Sequence, residues 1–261
     1  MADLVITERI HDIAILTLNR PDKRNALSPE LVQALKIAVD VIAEDESVRA
    51  VILTGAGKAF CAGADLAYLQ KLSQFSEKQN LEDSRSLSEL FEKMYRLPKL
   101  TIAMANGPAL AGGCGLAMCC DYIMADRNNS RFGFTEVRIG FIPAIVMNFL
   151  IRKIPLNAAF HLAVSGEILS AEEALKAGIV NEIIEEKELH GKTLQYVEDL
   201  LNQNSISAMI QTKQLFQHLL DVPLQEGLEL AASANVMSRK TEDCQRGLKA
   251  FLNKEKIRWR E

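Results

Sequence analysis

The hydrophobic positions up to Pro143 follow strand-like patterns that alternate with helical ones. Short runs of β-branched and apolar residues, bounded by turn residues, predict six strands. These are residues 4–10, 13–18, 48–54, 100–105, 122–125 and 131–133. Strands that alternate with helices along a chain favour an α/β fold, and their spacing indicates a core built from related units.

Helix signals lie between these strands. Ser28 followed by Pro29 predicts a helix start, because serine accepts a hydrogen bond at the N-cap and proline fits the first helical position. Apolar residues at helical spacing mark the buried face of this helix, namely Leu31, Leu35, Ala38 and Ile42. One or two further helices are predicted over residues 66–95, and a short buried helix over residues 115–119.

The chain becomes mostly helical after Pro143. Ser170 and Glu173 have the spacing of a capping box, and Gly178 is a typical helix stop. A last strand is predicted over residues 178–184.

The final segment, residues 186–261, has the pattern of successive amphipathic helices. Breaks are predicted at residues 204–205 and 221–223. A helical tail after an α/β core is often an oligomerisation element. The pattern alone is equally typical of a lid or of helices that simply pack on their own core.

Charge and polarity exclude some classes of partner. The chain carries 34 acidic and 30 basic residues, a formal net charge of −4. Because nucleic-acid binding needs a basic surface, this balance argues against such a partner. Residues 100–120 are uncharged and long enough to span a bilayer, but Asn106-Gly107-Pro108 interrupts them, so we predict a buried strand, turn and helix. The N-terminus has no secretion signal, and we expect a cytoplasmic protein without a membrane partner.

The five cysteines and four histidines form no metal-binding pattern. An odd cysteine count without a C-x-x-C pair is typical of free thiols in a reducing cytoplasm. Cys61 and Cys114 lie in glycine-containing turns, and we interpret them as small buried residues rather than nucleophiles. No H-x-x-x-H or H-E-x-x-H spacing occurs, so we predict no metal site.

Glu136 stands apart from the other carboxylates. It lies in a mostly apolar stretch, residues 131–143, shortly after the glycine cluster of residues 111–115. Because apolar surroundings disfavour a charge, we expect the pKa of this carboxyl group to be raised toward neutrality, where it can both accept and donate a proton. Glycines that open a helix supply main-chain N–H groups for a developing negative charge. The combination predicts proton chemistry next to a stabilised enolate.

Two glycine-containing turns each follow a predicted strand and precede a predicted helix. They are residues 60–66 and 106–115, and their small side chains let a ligand approach the main chain closely. Two such turns can aim one N–H each at a single oxygen, which is the arrangement of an oxyanion hole. Taken singly, either turn is more often a tight turn with a purely structural role. The second turn is not a dinucleotide fingerprint, because Met118 stands where the third glycine is required.

Five ordered motifs resemble the crotonase superfamily, the enoyl-CoA hydratase/isomerase family, over nearly the whole chain. The matching segments are residues 18–27, 59–66, 106–113 with 120–121, 132–136 with 140–143, and 247–252. The resemblance implies an α/β crotonase fold, with a spiral core of ββα units over residues 1–195 and a helical oligomerisation region, of the trimerisation type, over residues 196–261. It also implies an acyl-CoA thioester as the partner, coenzyme A arriving as part of the substrate with no further cofactor, and a homotrimer or dimer of trimers.

The same resemblance implies roles for individual residues. The N–H groups of Ala64 and Gly112 would bind the thioester oxygen, and Glu136 would be the catalytic carboxylate. The positions implied to contact the substrate and its coenzyme A portion are Lys23, Arg24, Ala26, Ala62, Ala64, Asp65, Leu66, Gly112, Phe251 and Lys254. The last two would close the adenine end, from the same or a neighbouring subunit.

One position departs from the family pattern. The best-known hydratases carry a first glutamate where this chain has Gly115, which leaves Glu136 as the sole acid/base. Hydration is still the first interpretation, because residues 80–84 and 112–116, with residues 135–144, resemble a bacterial subgroup assigned to 3-methylglutaconyl-CoA hydration in leucine breakdown. Arg138 is then the nearest candidate to bind the terminal carboxylate of that substrate, beside a plain surface or structural role.

Three other interpretations stay open. A single carboxylate suffices for Δ3–Δ2 enoyl-CoA isomerisation, in which it removes a proton from C2 and returns it at C4. Decarboxylation of an acyl-CoA needs the oxyanion hole and little else. A non-catalytic acyl-CoA-binding protein would keep the motifs for binding only, although retention of both turns and of Glu136 argues against this. We therefore predict an acyl-CoA enzyme, with a hydro-lyase favoured.

Overall fold

The computed structural model describes residues 3–260, and within this range nine strands form two sheets. The strands are β1 Val5–Ile10, β2 Ile13–Leu18, β3 Ala50–Gly55, β4 Leu100–Ala105, β5 Ala109–Leu110, β6 Tyr122–Asp126, β7 Arg131–Gly133, β8 Ile168–Ser170 and β9 Glu182–Ile184. The main sheet has the order β1-β2-β3-β4-β6-β9, and the second sheet has the order β5-β7-β8.

The main sheet is parallel except for the hairpin of β1 with β2. In its register Leu18 pairs with Gly55, and Leu53 pairs with Ala103. Every residue of β3 and β4 is buried, as expected for parallel strands that are covered on both faces. The carboxyl ends of β2, β3 and β4 therefore meet at one edge of the sheet.

Eleven α-helices lie between and after these strands in the described range. They are α1 Pro29–Glu44, α2 Leu66–Leu72, α3 Glu77–Arg96, α4 Gly112–Met118, α5 Ala144–Lys153, α6 Leu156–Ser165, α7 Ala171–Lys176, α8 Glu186–Gln203, α9 Ile206–Leu219, α10 Leu224–Arg239 and α11 Glu242–Asn253. Short 3-10 helices occupy Pro21–Lys23 and Thr135–Ile139. The predicted α/β fold is confirmed.

Local sequence signals predicted the ends of several helices and strands correctly. Ser28 caps α1, accepting a hydrogen bond from the Leu31 N–H with Pro29 in the first turn. Ser170 and Glu173 form the predicted capping box of α7. Residues 100–120 form β4, β5 and α4 around a turn, and no helix between residues 3 and 260 is long and apolar enough to cross a membrane.

Other predicted boundaries were wrong. α4 begins at Gly112, three residues earlier than predicted, because the main chain turns sharply at Ala111. The last strand begins at Glu182 rather than 178, because the N–H groups of Ile179 and Val180 donate to the Ala174 carbonyl and complete the end of α7. β5 and β8 were not predicted, nor was the break before α11, where Thr241 is the N-cap.

The chain divides into two compact units, Met1–Thr193 and Leu194–Glu261. The first unit contains both sheets and the hydrophobic core around them. Within the second unit, the Ser205 hydroxyl donates to Asp243 of α11 at 2.5 Å, and the Arg246 guanidinium lies 4.8 Å from the centre of the Trp259 ring.

Candidate active site

Three loops meet beyond the carboxyl ends of β2, β3 and β4. They are residues 19–28, 56–65 and 106–111. In open sheets with parallel strands this edge is where ligands usually bind, because the loops there can be shaped without disturbing the strands. Residues from three separate sequence motifs therefore lie on one side of the first unit.

The first turn presents a free main-chain amide at Ala64. The Leu27 N–H donates to the Gly63 carbonyl at 2.7 Å, and the Asp65 N–H donates to the Leu27 carbonyl at 3.0 Å. These two bonds form a one-residue parallel bridge between Leu27 and Ala64. In such a bridge the N–H of the central residue faces the opposite side. Within the described residues the Ala64 N–H has no hydrogen-bond acceptor.

The second turn presents a free amide at Gly112 by a different route. The Leu110 N–H donates to the Cys61 carbonyl at 3.0 Å, and the Ala111 N–H donates to the Gly133 carbonyl at 2.7 Å. Ala111 then adopts φ 49° and ψ −125°, an uncommon conformation for a residue with a side chain. The chain enters α4 at this point, so the Gly112 N–H belongs to the first helical turn, and it has no acceptor in the described part of the chain.

The two turns are packed main chain against main chain. A Cβ added at Gly63 would lie 2.8 Å from the Leu110 carbonyl oxygen and 3.5 Å from the Gly112 nitrogen. A Cβ added at Gly113 would lie 2.1 Å from the Cys61 carbonyl oxygen. Glycine is required at both positions by this close approach, which brings the two free amides into the same small region.

Glu136 reaches the same region through the second sheet. β5, which leads into the second turn, pairs in parallel with β7, so that Leu110 lies opposite Gly133. Glu136 follows three residues later, in the 3-10 helix Thr135–Ile139. Burial and, to a smaller extent, the charge of Glu136 raise the pKa of the Cys114 thiol in α4. The Glu136 carboxyl group therefore lies close to the first turns of α4.

The Glu136 carboxyl group is buried and incompletely bonded. The residue is 9% exposed, and its Oε2 atom has no hydrogen-bond partner among residues 3–260. Burial raises the pKa of this carboxyl group, and a hydrogen bond to its own main chain offsets part of that effect. The burial expected from the apolar sequence around Glu136 is confirmed, and so is the direction of the pKa change.

The two cysteines of the glycine-containing turns are not nucleophiles. Cys61 and Cys114 are fully buried, and burial raises the pKa of each thiol to about 12. The reactive form of cysteine is the thiolate, which is scarcely populated at neutral pH with such a pKa. Both side chains act as small apolar groups, as predicted.

A side chain at Gly115 would collide with its neighbours. A Cβ added there would lie 2.2 Å from Cγ1 of Val146 in α5 and 3.0 Å from Cε2 of Phe91 in α3. These two side chains fill the space that a glutamate would occupy in the two-carboxylate pattern. The departure of this chain at Gly115 is therefore matched by its packing.

The residues predicted to contact coenzyme A lie in both units. In the first unit Lys23 and Arg24 are exposed, Ala26 is buried, Ala62 is partly buried and Leu66 is 71% exposed at the start of α2. The Asp65 side chain is bonded within the protein, since it pairs with Arg20 and caps α2.

The remaining predicted residues are two in the second unit and one beside Glu136. Phe251 is 80% exposed in α11, and Lys254 caps the end of that helix. Arg138 is exposed, and its side chain lies along Gly166 at the C-terminal cap of α6.

Two residues that support the first turn were not predicted from the sequence motifs. The Asn25 side chain is buried and donates to the carbonyls of Ala56 and Ala59 at 2.9 and 2.8 Å. Arg20 forms an ion pair with Asp65 at 3.0 Å. These partners of both residues lie more than 30 positions away in the sequence, so local patterns carried no signal for these contacts.

The arrangement suits one kind of chemistry. Two N–H donors in a shared region can stabilise a negative charge that develops on one oxygen atom. A buried carboxyl group with a raised pKa can take and return a proton beside it. No group of three or more His, Cys, Asp or Glu side chains suited to a metal ion occurs among the described residues.

Comparison with known proteins identifies the family. The family model described as enoyl-CoA hydratase/isomerase matches residues 8–261. A Thermus thermophilus protein named "Putative enoyl-CoA hydratase" is 41% identical over 254 residues, which cover 96% of this chain and 98% of that protein. The crotonyl-CoA hydratase of Syntrophomonas wolfei is 32% identical over 258 residues, which cover 97% and 96%.

Solved structures agree with the sequence relatives. An enoyl-CoA hydratase from Mycobacterium smegmatis superposes with a TM-score of 0.92 at 32% identity, and the match covers 98% of both chains. The chain therefore belongs to the enoyl-CoA hydratase/isomerase family, within the crotonase superfamily, and it is an acyl-CoA enzyme of that family.

Proposed function

We propose that this protein catalyses the reversible addition of water to a 2-enoyl-CoA, with Glu136 as the only acid/base. In this proposal the N–H groups of Ala64 and Gly112 bind the thioester oxygen. The observation that carries it is the buried Glu136 carboxyl group, whose Oε2 atom has no hydrogen-bond partner among residues 3–260. Glu136 follows the strand that pairs with β5, and β5 leads into the turn that presents the Gly112 amide. The names of the relatives, several of which are hydratases, support hydration over the alternatives.

One carboxyl group can complete both proton transfers of hydration. Ionised Glu136 accepts a proton from water as the water oxygen bonds to C3, and the electron pair of the double bond moves toward the thioester oxygen. The two amides stabilise the resulting enolate. Protonated Glu136 then delivers its proton to C2, which restores the carboxylate and completes the addition of H and OH. Burial raises the pKa of Glu136, and this suits the cycle because a carboxyl group that holds its proton more tightly than usual is a better base toward water.

The preferred substrate in this proposal is 3-methylglutaconyl-CoA. Its support is the resemblance of residues 80–84, 112–116 and 135–144 to the corresponding subgroup. Arg138 is a poor candidate for binding the terminal carboxylate, since its side chain lies along Gly166 at the end of α6, where a cation is favourable. This contact supports a structural role for Arg138.

Δ3–Δ2 enoyl-CoA isomerisation is the second candidate, and the packing at Gly115 favours it. Val146 and Phe91 close the position where the first glutamate of two-carboxylate hydratases would lie. Isomerisation requires only one group that removes a proton from C2 and returns it at C4. Glu136 alone satisfies that requirement.

The assembly and location are also proposals. We propose a cytoplasmic homotrimer or dimer of trimers, with coenzyme A brought in by the substrate and no other cofactor. The second unit exposes large apolar side chains at helical spacing in α11, which are Leu248, Phe251 and Leu252. Exposed apolar patches of this kind are typical of subunit interfaces. Light scattering on the purified protein would measure the mass, and a monomer at all concentrations would contradict this proposal.

A panel of three thioesters tests the reaction. The protein is incubated separately with crotonyl-CoA, a 3-enoyl-CoA and 3-methylglutaconyl-CoA, and the products are analysed by mass and by chromatography against standards. Hydration adds the mass of water, decarboxylation removes carbon dioxide, and isomerisation changes only the retention time. We expect water addition, fastest with 3-methylglutaconyl-CoA. Binding of all three thioesters without turnover would contradict an enzymatic function.

A further inference from the structure

We propose that Arg20 and Asp65 form a positioning pair that fixes the direction of the Ala64 N–H and links it to the loop of residues 20–26. The pair touches no reacting atom in this proposal, but acts through the main chain of the first turn. The inference deepens the proposed function and rests on it, because it concerns the amide assigned to the thioester oxygen.

Arg20 joins the loop to the first turn, because one arm of its guanidinium group bonds within the loop and the other bonds to the turn. One arm donates to the Ala26 carbonyl, and the other donates to Oδ2 of Asp65 at 3.0 Å. The Arg20 main-chain N–H donates to the Asn25 side chain at 2.9 Å, which holds the beginning of the same loop. The planar fork of arginine can satisfy two acceptors at fixed spacing, which lysine cannot do.

Asp65 uses both carboxylate oxygens within the protein. Its Oδ1 atom accepts from the N–H groups of Ala67 and Tyr68 at 3.1 and 3.4 Å and so caps α2. Its Oδ2 atom accepts from Arg20. The side chains of the ion pair are only 18% and 14% exposed, so solvent screens their attraction less than at a fully exposed site. Asp65 therefore acts as a structural anchor rather than a group free to bind coenzyme A.

Ala64 is held between this anchor and the Leu27 bridge. Its neighbour on one side, Gly63, accepts the Leu27 N–H, and its neighbour on the other side is Asp65. The loop is also tied directly to the turn, because the Ala62 N–H donates to the Arg24 carbonyl at 3.0 Å. A displacement of residues 24–26 therefore moves the main chain on both sides of the Ala64 amide. Lys23, Arg24 and Ala26 are the residues proposed to meet the coenzyme A portion, so binding at the loop and polarisation of the thioester are linked.

Asp65→Asn is the sharpest variant, because it keeps an oxygen for the α2 cap and removes the charge that faces Arg20. Arg20→Lys keeps the charge but cannot reach both acceptors. We expect kcat to fall about tenfold in each, a fraction of the ~10²-fold cost of losing an oxyanion donor, with KM nearly unchanged. The matched controls are Arg9→Lys and Asp45→Asn, which alter an exposed ion pair of 3.1 Å near the amino ends of β2 and β3. These controls should leave kcat unchanged.

A spectroscopic readout separates positioning from folding. Cinnamoyl-CoA absorbs at longer wavelength when its carbonyl oxygen accepts hydrogen bonds, and a Glu136→Gln background prevents its consumption. We expect a clear shift on binding to that protein, and a smaller shift at saturation when Asp65→Asn or Arg20→Lys is added. The unfolding midpoint is measured on the same samples so that the folded fraction is known.

The outcomes are distinct. A full shift together with unchanged kcat in Asp65→Asn overturns the positioning role. A loss of kcat that only follows the unfolded fraction, with a full shift in the folded protein, overturns it as well. If the Glu136→Gln protein binds cinnamoyl-CoA without any shift, the proposed oxyanion function itself fails and this inference fails with it.

Discussion

The two sides of the candidate site consist of different kinds of group. The amide side, Ala64 and Gly112, consists of main-chain groups whose direction is set by the packing of two turns. The acid side is one side chain, Glu136, held in a buried position where Oε2 has no hydrogen-bond partner in the part of the chain that the structure describes. The first side depends on backbone shape and does not titrate, whereas the second depends on one titrating group.

This difference determines what damages each side. A substitution harms the amide side only if it adds atoms where main chains touch, as at Gly63, or removes an anchor such as Asp65. The acid side is lost by replacing a single oxygen. Because the expected effects differ in size and in pH dependence, the two sides can be separated by experiment.

The largest effect is expected for Glu136→Gln. The substitution keeps the size of the side chain but removes its capacity as a base, so kcat should fall by about 10²–10⁴-fold while the thioester still binds. Steady-state kinetics with the preferred substrate, together with a binding titration, measures both quantities.

The control for this change is Glu92→Gln, which alters an exposed carboxylate of α3 that pairs with Arg96 within the same helix. Its kcat should equal that of the wild type. Normal turnover in Glu136→Gln with every substrate of the panel would exclude Glu136 as the acid/base.

The next effect is expected for Gly63→Ala on the amide side. Gly63 has φ +91°, and the added Cβ would lie 2.8 Å from the Leu110 carbonyl oxygen, so the two turns must separate. We expect kcat to fall by about 10²-fold, the cost of losing an oxyanion donor. Gly191→Ala is the matched control, since no atom of the described residues lies within 4 Å of its added Cβ and alanine is the better helix former. Equal activity of both variants would contradict the close packing of the turns.

A smaller effect is expected where Gly115 meets Val146. Gly115→Ala places a Cβ 2.2 Å from Val146 Cγ1, and this overpacking should cost ~1–3 kcal/mol of unfolding free energy. Val146→Ala should also destabilise the protein, because it leaves a cavity. The double variant should be more stable than the sum of the two single losses predicts, and urea unfolding of all four proteins measures this coupling. Strict additivity would contradict direct contact.

The smallest effect concerns stability and pH on the acid side. Burial raises the pKa of Glu136 in the folded protein above its ordinary value of 4.5. Below both pKa values Glu136 is protonated in the folded and unfolded states and adds no pH dependence. As pH rises past 4.5, Glu136 ionises in the unfolded chain while it still holds its proton in the folded protein. The stability of the wild type therefore falls relative to that of Glu136→Gln. Thermal unfolding of both proteins from pH 4 to 8 should show a difference that grows with pH and then levels off above the folded pKa.

Sequence patterns predicted the elements whose causes are local. β4 was predicted end to end because a continuous apolar run is bounded by a lysine and by Asn106-Gly107-Pro108. The start of α1 was predicted because Ser28 and Pro29 act on their own helix. β5 and β8 were missed because strands of two and three residues exist only through their pairing with β7.

The same distinction applies to the candidate site. The apolar neighbours of Glu136 in sequence were enough to predict its burial. The closure of the Gly115 position was not predictable, since Val146 and Phe91 come from helices on either side of it in the chain. The partnership of Arg20 with Asp65 was equally hidden, because a 45-residue separation leaves no periodic signal.

The solitary position of Glu136 also bears on stereochemistry. A lone acid reaches its substrate from one face only, and the packing of Val146 and Phe91 closes the position of a second carboxylate at Gly115. Both new bonds of a hydrated product should therefore form on that same face, and a product made in heavy water should carry its deuterium and its hydroxyl group in the syn relationship.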